Sequence, residues 1–134
     1  MKKILLILSE TYPTIGGSVI YVNDLINFLE NEGHHIDLYM VLKTSINHKK
    51  EAKKFYKNIN LHFIEYKKLR LPFKFLDKNI NSLYDILKSK WELKKFNLNN
   101  YDLIIDNTMF NFKELRNSKK TFLVLHTSLE FLNN

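Results

Sequence analysis

The sequence predicts an α/β domain with three layers, in which a mostly parallel, twisted, Rossmann-like sheet carries helices on both faces. The first observation is that short apolar runs alternate with helical patterns along the 134 residues, which is typical of βαβ units. The second is that the opening run, ILLIL, has no alternating polar residues, as expected of a strand buried on both faces of a parallel sheet. The third is the length, which suits one hydrophobic core. We therefore expect residues 1–134 to form a single domain.

The first βαβ unit occupies the opening forty or so residues. One strand is predicted over Lys3–Glu10 and another over His35–Leu42. Between them a helix is predicted from Val19, because its apolar residues recur at steps of three and four and so share one stripe. We expect Gly33 to end this helix in the left-handed conformation that glycine adopts readily. The stripe consists of Val22, Leu25, Ile26 and Leu29.

Three further strands and three helical segments are predicted in the rest of the chain. The polar stretch KTSINHKK predicts a loop. Further along, Pro72 argues against a regular helix through the segment KKLRLPFKFLDK. In the longest helix, Leu83 and Leu87 keep helical spacing, and we assign Trp91 and the other aromatic residues to the core. Parallel pairing of all five strands favours the order 3-2-1-4-5. The predicted elements are a helix over Glu51–Tyr56, a strand over Asn60–Tyr66, a helix over Asn79–Phe96, a strand over Tyr101–Asp106, a short helix within Asn107–Asn117 and a strand over Lys120–Leu125.

The turn between the first strand and the first helix, TYPTIGGS, is the strongest candidate for a binding site. Two adjacent glycines would allow positive φ angles and a close approach of the backbone to a ligand. The helix N-terminus that follows has unpaired N–H groups and a partial positive charge, and both favour a phosphate. Gly16, Gly17 and Ser18 are therefore the predicted phosphate-binding residues. The alternative is that the glycines only make a tight turn and Ser18 only caps the helix.

The same stretch resembles the N-terminal signature of retaining GT-B glycosyltransferases of the family 4 type. Those enzymes commonly open with a strand, E-x-P-P-x-x-G-G, a helix and R-G-H-x-V-x-V. The resemblance covers the first forty residues well, the region Asp102–Leu125 moderately and the middle hardly at all. It implies that the chain is half of a GT-B fold. The matching positions are Tyr12, Pro13, Gly16, Gly17, Gly33, His34, Ile36 and Leu38.

A site is expected beyond the carboxyl ends of the strands, between the first and fourth strands, where the predicted order reverses. The resemblance implies that Gly16, Gly17 and Ser18 hold the donor diphosphate and that His126, in VLHTS, orients the transferred sugar. Asn107 stands where the resembled family often has a histidine, so the acceptor side departs from the family pattern. In one interpretation Glu10 accepts a hydrogen bond from a substrate hydroxyl. In the other it is a solvated loop carboxylate. The predicted cleft residues are Glu10, Tyr12, Asn107, Thr108 and Thr127.

The resemblance also implies an activity. We expect the chain to belong to a retaining hexosyltransferase that moves a sugar from a nucleotide-sugar donor to a cell-envelope glycan, polymer or lipid-linked acceptor, as in bacterial polysaccharide biosynthesis. The resembled enzymes hold the nucleotide mainly in a C-terminal domain. This chain lacks that domain, so we expect an incomplete N-terminal half that is inactive alone. Neither a metal nor another cofactor is expected, because the sequence has no HExxH or comparable ligand motif.

Positive charge is concentrated in the middle of the chain. Eleven basic and three acidic residues between Lys43 and Lys78 give this segment a charge of +8, whereas the whole chain carries +7. Within it, Lys67–Phe75 interleaves basic residues with Leu and Phe. This pattern indicates either a solvated lysine-rich face or a surface that binds an anionic membrane. Nothing matches a DNA or RNA reader, so nucleic acid is not an expected partner.

Several other classes are disfavoured or left open. A dinucleotide-binding protein would have G-x-G-x-x-G and a carboxylate after the second strand, and both are missing. A receiver-type signalling domain would have clustered carboxylates after the first and third strands, where only Glu10 is available. A binding or scaffold protein derived from a transferase half stays open. The lack of cysteine fits a reducing compartment, and no apolar run approaches the roughly 20 residues of a membrane span. We expect a cytoplasmic location, peripheral at the inner membrane face.

Overall fold

A computed structural model of the protein describes residues 1–41, 44–63, 74–94, 96–108, 112–116 and 120–124. Five parallel strands form one sheet in the order β3-β2-β1-β4-β5, which confirms the predicted fold class and strand order. The strands are β1 (Lys3–Leu8), β2 (His35–Met40), β3 (Asn60–Phe63), β4 (Leu103–Asn107) and β5 (Thr121–Leu123). The helices are α1 (Gly17–Asn31), α2 (Ile46–Phe55), α3 (Lys74–Leu93) and α4 (Lys113–Arg116), and a 3-10 turn spans Leu98–Asn100.

The central strand β1 pairs with β2 on one side and with β4 on the other. Its last residue, Leu8, lies opposite both Met40 of β2 and Asn107 of β4. Five successive residues of β1, from Ile4 to Leu8, are almost completely buried, as the uninterrupted apolar run predicts. The strand ends two residues before the predicted limit, since the chain then turns away from the sheet.

Helices cover both faces of the sheet, so the domain has three layers. Alternate residues of β1 point to opposite faces: Leu6 and Leu8 belong to one core cluster, and Leu5 and Ile7 to the other. The first cluster also contains Val22, Ile26 and Leu29 of α1, Ala52 of α2 and Tyr56, the residue that follows α2. The second contains Leu93 of α3 and Leu115 of α4.

The limits of α1 and α2 bear out one prediction and correct another. Gly33 follows α1 with φ of 75°, and its N–H donates to the carbonyl of Glu30, which confirms it as the stop signal. The predicted loop through KTSINHKK is wrong in its second half, because α2 begins at Ile46. Ser45 is the reason: its hydroxyl accepts a hydrogen bond from the N–H of His48 and so caps the helix.

Helix α3 begins earlier than predicted, at Lys74, and turns a different face to the core. Trp91 is 52% exposed, so its assignment to the core is wrong. Ser89 is fully buried instead, because its hydroxyl donates to the carbonyl of Val41 at the end of the β2 segment. The hydroxyl of Tyr39 donates to the Ser89 carbonyl at 3.5 Å. These polar contacts fix the rotation of the helix. As a result Leu83, Leu87 and Trp91 face solvent.

A buried polar network joins the strands at the amino-terminal edge of the sheet, opposite the predicted site. Asp37 accepts hydrogen bonds from the hydroxyl of Tyr101 at 2.7 Å and the side-chain amide of Asn60 at 2.9 Å. The ammonium of Lys3 lies 3.5 Å from the same carboxylate. Burial alone would raise the pKa of Asp37, but these two hydrogen bonds and the charges of Lys3 and His62 hold it below its usual value.

Candidate functional site

The predicted site lies at the carboxyl edge of the sheet, where β1, β2 and β4 end side by side. Leu8, Met40 and Asn107 are neighbours in register, so the segments that follow them leave the sheet at the same edge. The chain after β1 leads into α1, and the chain after β2 leads into α2. The strand order reverses between β1 and β4, which is where ligands of open parallel sheets bind.

Gly16 is the N-cap of α1, and Gly17 and Ser18 are the first two helical residues. Gly16 and Gly17 are here called the glycine turn. The carbonyl of Gly16 accepts hydrogen bonds from the N–H groups of Val19 and Ile20, both at 3.1 Å. The N-cap is a glycine, which has no side chain to cap the helix, and Ser18 is the second helical residue, so the alternative role for Ser18 as the cap is wrong. The N–H groups of the first turn are the ones for which an α-helix has no partner of its own.

The reason given for the two glycines needs correction. Gly16 is extended, with φ of −179°, and of the three glycines only Gly33 has a positive φ. A Cβ atom added at Gly16 or Gly17 would meet nothing within 4 Å. The fold therefore requires glycine at neither position for backbone conformation or for space. What the pair provides is a helix N-terminus that carries a partial positive charge and that, among the described residues, has no side-chain hydrogen bond from its N-cap.

The end of β4 contains a buried acidic turn. The Asp106 carboxylate accepts hydrogen bonds from the N–H of Thr108 at 3.0 Å and from its hydroxyl at 2.6 Å. Burial raises the pKa of Asp106, and the two bonds from Thr108 oppose this effect. Of the predicted cleft residues, Asn107 is buried beside β1 and Thr108 is 1% exposed. The Thr108 hydroxyl thus donates its hydrogen bond to Asp106 within the same strand end.

Two contacts attach the turn after β1 to α2. The hydroxyl of Thr11, which is fully buried, lies 3.3 Å from Nε2 of His48 in the first turn of the helix. The Tyr12 ring stacks on Phe55 at the other end of α2, with 4.3 Å between ring centroids and 15° between planes. The predicted cleft residue Tyr12 is therefore held by the helix, and the peptide bond that follows it, to Pro13, is cis.

A cavity of about 230 Å³ opens where the segments after β1 and β2 meet. It brings together the exposed carboxylate of Glu10, the imidazole of His48 and several hydroxyl groups. These groups can donate and accept hydrogen bonds in several directions, as a polyhydroxylated ligand requires. The lining residues are Ser9, Glu10, Thr14, Met40, Thr44, Ser45 and His48.

A larger cavity of about 550 Å³ lies at the opposite, amino-terminal edge, beside Lys3, His34 and Asp37. We favour the smaller one as the functional cleft, because it lies at the carboxyl ends of the strands. His34 and His35 line this larger cavity at the opposite edge. His48, by contrast, is a residue of the favoured cleft that the sequence interpretation missed. Its signal was the S-x-x-H spacing from the N-cap Ser45.

Several predicted residues lie outside the part of the chain that the structure describes. His126 and Thr127 are among them, as are residues 67–73 of the basic segment and the side chains of Lys74 and Phe75. Within the described residues, no group of three or more His, Asp and Glu side chains could hold a metal ion. Over the same residues, no helix combines the length and apolar character needed to cross a membrane.

Comparison with known proteins adds no relative: no protein-family model, curated protein or solved structure is significantly similar to this chain.

Proposed function

We propose that this chain is the acceptor-side half of a GT-B glycosyltransferase, which moves a sugar from a nucleotide-sugar to a glycan, polymer or lipid-linked acceptor. In this proposal the nucleotide is held mainly by a further domain, and the chain alone does not turn over. His126 would orient the transferred sugar, by the resemblance of VLHTS to a segment of the same family, and the reaction would retain the anomeric configuration, as the resembled family does.

The observation that carries the proposal is the position of the glycine turn. Gly16 and Gly17 open a 15-residue helix directly after the central strand, at the point where the strand order reverses. A helix N-terminus at this point, with glycine as its N-cap, can donate backbone N–H groups to a diphosphate. When the bond between sugar and diphosphate breaks, negative charge develops on the leaving group, and the same N–H groups stabilise it.

The cavity beside this turn suits an acceptor hydroxyl. Glu10 can accept a hydrogen bond from it, and His48 can donate or accept one according to its tautomer. At about 230 Å³ the cavity is smaller than the roughly 300–1,000 Å³ of drug-sized sites. The proposed occupant is therefore one sugar unit, with the rest of the acceptor extending into solvent.

A matched pair of substitutions tests the phosphate role. Gly16→Asp and Gly16→Asn have similar shapes and are equally good N-caps, and the space for a side chain is open at this position. Only the aspartate repels an anion. We expect uridine diphosphate, titrated to millimolar concentration, to shift the amide NMR signals of Gly17 and Ser18 most in the parent chain and less in Gly16→Asn, whose side-chain oxygen takes up one N–H group of the first turn. In Gly16→Asp these shifts should be roughly tenfold smaller than in Gly16→Asn, the factor that corresponds to about 1.4 kcal/mol of lost binding.

The outcomes separate the proposal from its rivals. Shifts with uridine diphosphate and nucleotide-sugars that exceed those with inorganic pyrophosphate support a donor site. Equal shifts in the two variants would contradict a role for the helix N-terminus. A chain that binds glycans but no nucleotide, under any of these conditions, would be a non-catalytic binding or scaffold domain.

A further inference from the structure

The outward face of α3 carries three large apolar side chains, here called the α3 stripe. Leu83, Leu87 and Trp91 are 57%, 56% and 52% exposed. They are spaced four residues apart, so they follow one another along the same side of the helix. The helix meets the core through its other side, where Ser89 and Leu93 are fully buried. Single exposed apolar residues are ordinary, but an aligned row of them indicates an interaction surface.

Lysines border this row. In a helix of about 3.6 residues per turn, Lys90 lies on one side of the α3 stripe, Lys88 lies on the other, and Lys94 follows Trp91 toward the C-terminal end. The ammonium of Lys88 is 4.2 Å from the centre of the Trp91 ring. Lys88 also pairs with the carboxylate of Glu92, one turn further along the helix, at 3.4 Å. The surface is therefore apolar at its centre, with Lys90, Lys94 and the ion-paired Lys88 at its margins.

We propose that the α3 stripe binds the surface of an anionic lipid bilayer. Helices that lie in the bilayer interface insert leucine and tryptophan among the lipid chains and keep lysine at headgroup level. Anionic headgroups attract the lysines, and the chain as a whole carries a net charge of +7. A second copy of the chain is a poorer partner. A symmetric pair would place the same surface against itself and bring Lys88, Lys90 and Lys94 close to their own copies.

The protein contains its own probe, because Trp91 is the only tryptophan of the chain and lies in the stripe. We expect its fluorescence to shift to shorter wavelength when vesicles with one part phosphatidylglycerol to two parts phosphatidylcholine are added at low salt. Vesicles in which the lipid chains carry bromine should quench it. The protein should bind vesicles of phosphatidylcholine alone at least roughly tenfold more weakly, since these carry no net negative charge. High salt should reduce the binding to the mixed vesicles.

Two double variants make the test specific to this face. Leu83→Glu with Leu87→Glu places two acidic groups in the stripe. Ile20→Glu with Phe28→Glu makes the same change at residues that are 58% and 59% exposed on α1, which packs on the opposite face of the sheet. In vesicle co-sedimentation we expect the first pair to weaken binding roughly tenfold or more and the second to have a much smaller effect. Circular dichroism checks that both remain folded.

Three results would overturn the proposal. The first is a Trp91 emission maximum that vesicles leave unchanged. The second is equal loss of vesicle binding in the two double variants, which would assign the binding to net charge alone. The third is a dimer in sedimentation equilibrium that Leu83→Glu with Leu87→Glu dissociates, because the stripe would then be covered by a second copy. The test needs no nucleotide, so its result is independent of the proposed transferase activity.

Discussion

The hydroxyl of Thr11 lies 3.3 Å from Nε2 of His48, so the turn after the central strand is joined to the first turn of α2. The next residue, Tyr12, stacks on Phe55 at the other end of the same helix. Two consecutive residues thus contact both ends of α2. The glycine turn begins a few residues later, and its position relative to the cavity depends on this attachment.

The contact between Thr11 and His48 should be measurable as a coupling energy. Thr11→Val keeps the shape of the buried side chain and removes its hydroxyl, and His48→Ala removes the partner. We expect a coupling of about 0.5–1.5 kcal/mol between the two substitutions, the usual net value of one hydrogen bond. Urea unfolding of the parent, both single variants and the double variant measures it. Thr11→Ser, which retains the hydroxyl, should keep the coupling, and additive single effects would contradict the contact.

The glycines should differ sharply in their tolerance of alanine. Gly17 is helical and has open space around it, so Gly17→Ala should leave stability unchanged or raise it by up to about 1 kcal/mol. Gly33 has φ of 75°, so Gly33→Ala should cost about 1–2 kcal/mol. Thermal unfolding of the two variants distinguishes these outcomes. A comparable loss in both would mean that the glycine turn is strained, contrary to its backbone angles.

Much of the fold could be predicted because its signals are local. The run from Ile4 to Leu8 has no polar residue to alternate with, and such a strand must be covered on both faces. The helix pattern that follows, and its stop at Gly33, depend only on the spacing of neighbouring residues. With βαβ alternation established, the connection rules leave few strand orders, and the one chosen is the one observed.

The orientation of α3 could not be predicted, since it depends on contacts between distant residues. Its sequence offers apolar side chains on more than one side, including Leu87, Trp91 and Leu93. The side that is buried is fixed by the hydrogen bond from Ser89 to Val41, 48 positions away. Periodicity alone cannot distinguish a core stripe from an exposed one when both are apolar.

The residues at the carboxyl ends of the strands could be predicted only in part. The glycine turn and Glu10 lie at the expected edge of the sheet because strand order determines that edge. His48 was missed because Thr11, its partner, is 37 positions away. The helix cap at Ser45 was a local signal that could have placed His48 on a helix beside the turn.

Acid should remove part of the stability that Asp37 provides. Its pKa is lowered in the folded protein, so the ionised group stabilises the fold above the unfolded value of about 3.9, and this contribution is lost as pH falls through the folded value. We expect Asp37→Asn to cost roughly 1.5–3 kcal/mol at neutral pH, because a hydrogen bond between a charged group and Tyr101 or Asn60 is weakened. Urea unfolding between pH 7 and about pH 3 should show the stabilities of the parent and Asp37→Asn converging. A difference in stability that stays constant with pH would contradict the prediction.

Lys3→Met is the control for the ion pair. The Lys3 side chain is 45% exposed, so this substitution should cost less than about 1 kcal/mol.

Asp106 should show the opposite dependence on pH. Burial raises its pKa in the folded protein, so the folded state binds the proton more tightly than the unfolded state, and stability falls as pH rises through the window between the two values. Asp106→Asn removes the buried charge and keeps an oxygen that can accept both hydrogen bonds from Thr108. We therefore expect this variant to be at least as stable as the parent at neutral pH, with a smaller advantage in acid.

Thr108→Val leaves the Asp106 carboxylate with one hydrogen bond fewer and should cost about 1–2 kcal/mol. The cost should be larger at neutral pH than in acid, where the carboxyl is protonated. Urea unfolding of the three proteins at both pH values measures these differences. If Asp106→Asn proved less stable at neutral pH, the ionised carboxylate would be stabilised by a positive partner at the end of β4, and the balance between burial and hydrogen bonding inferred for this turn would be wrong.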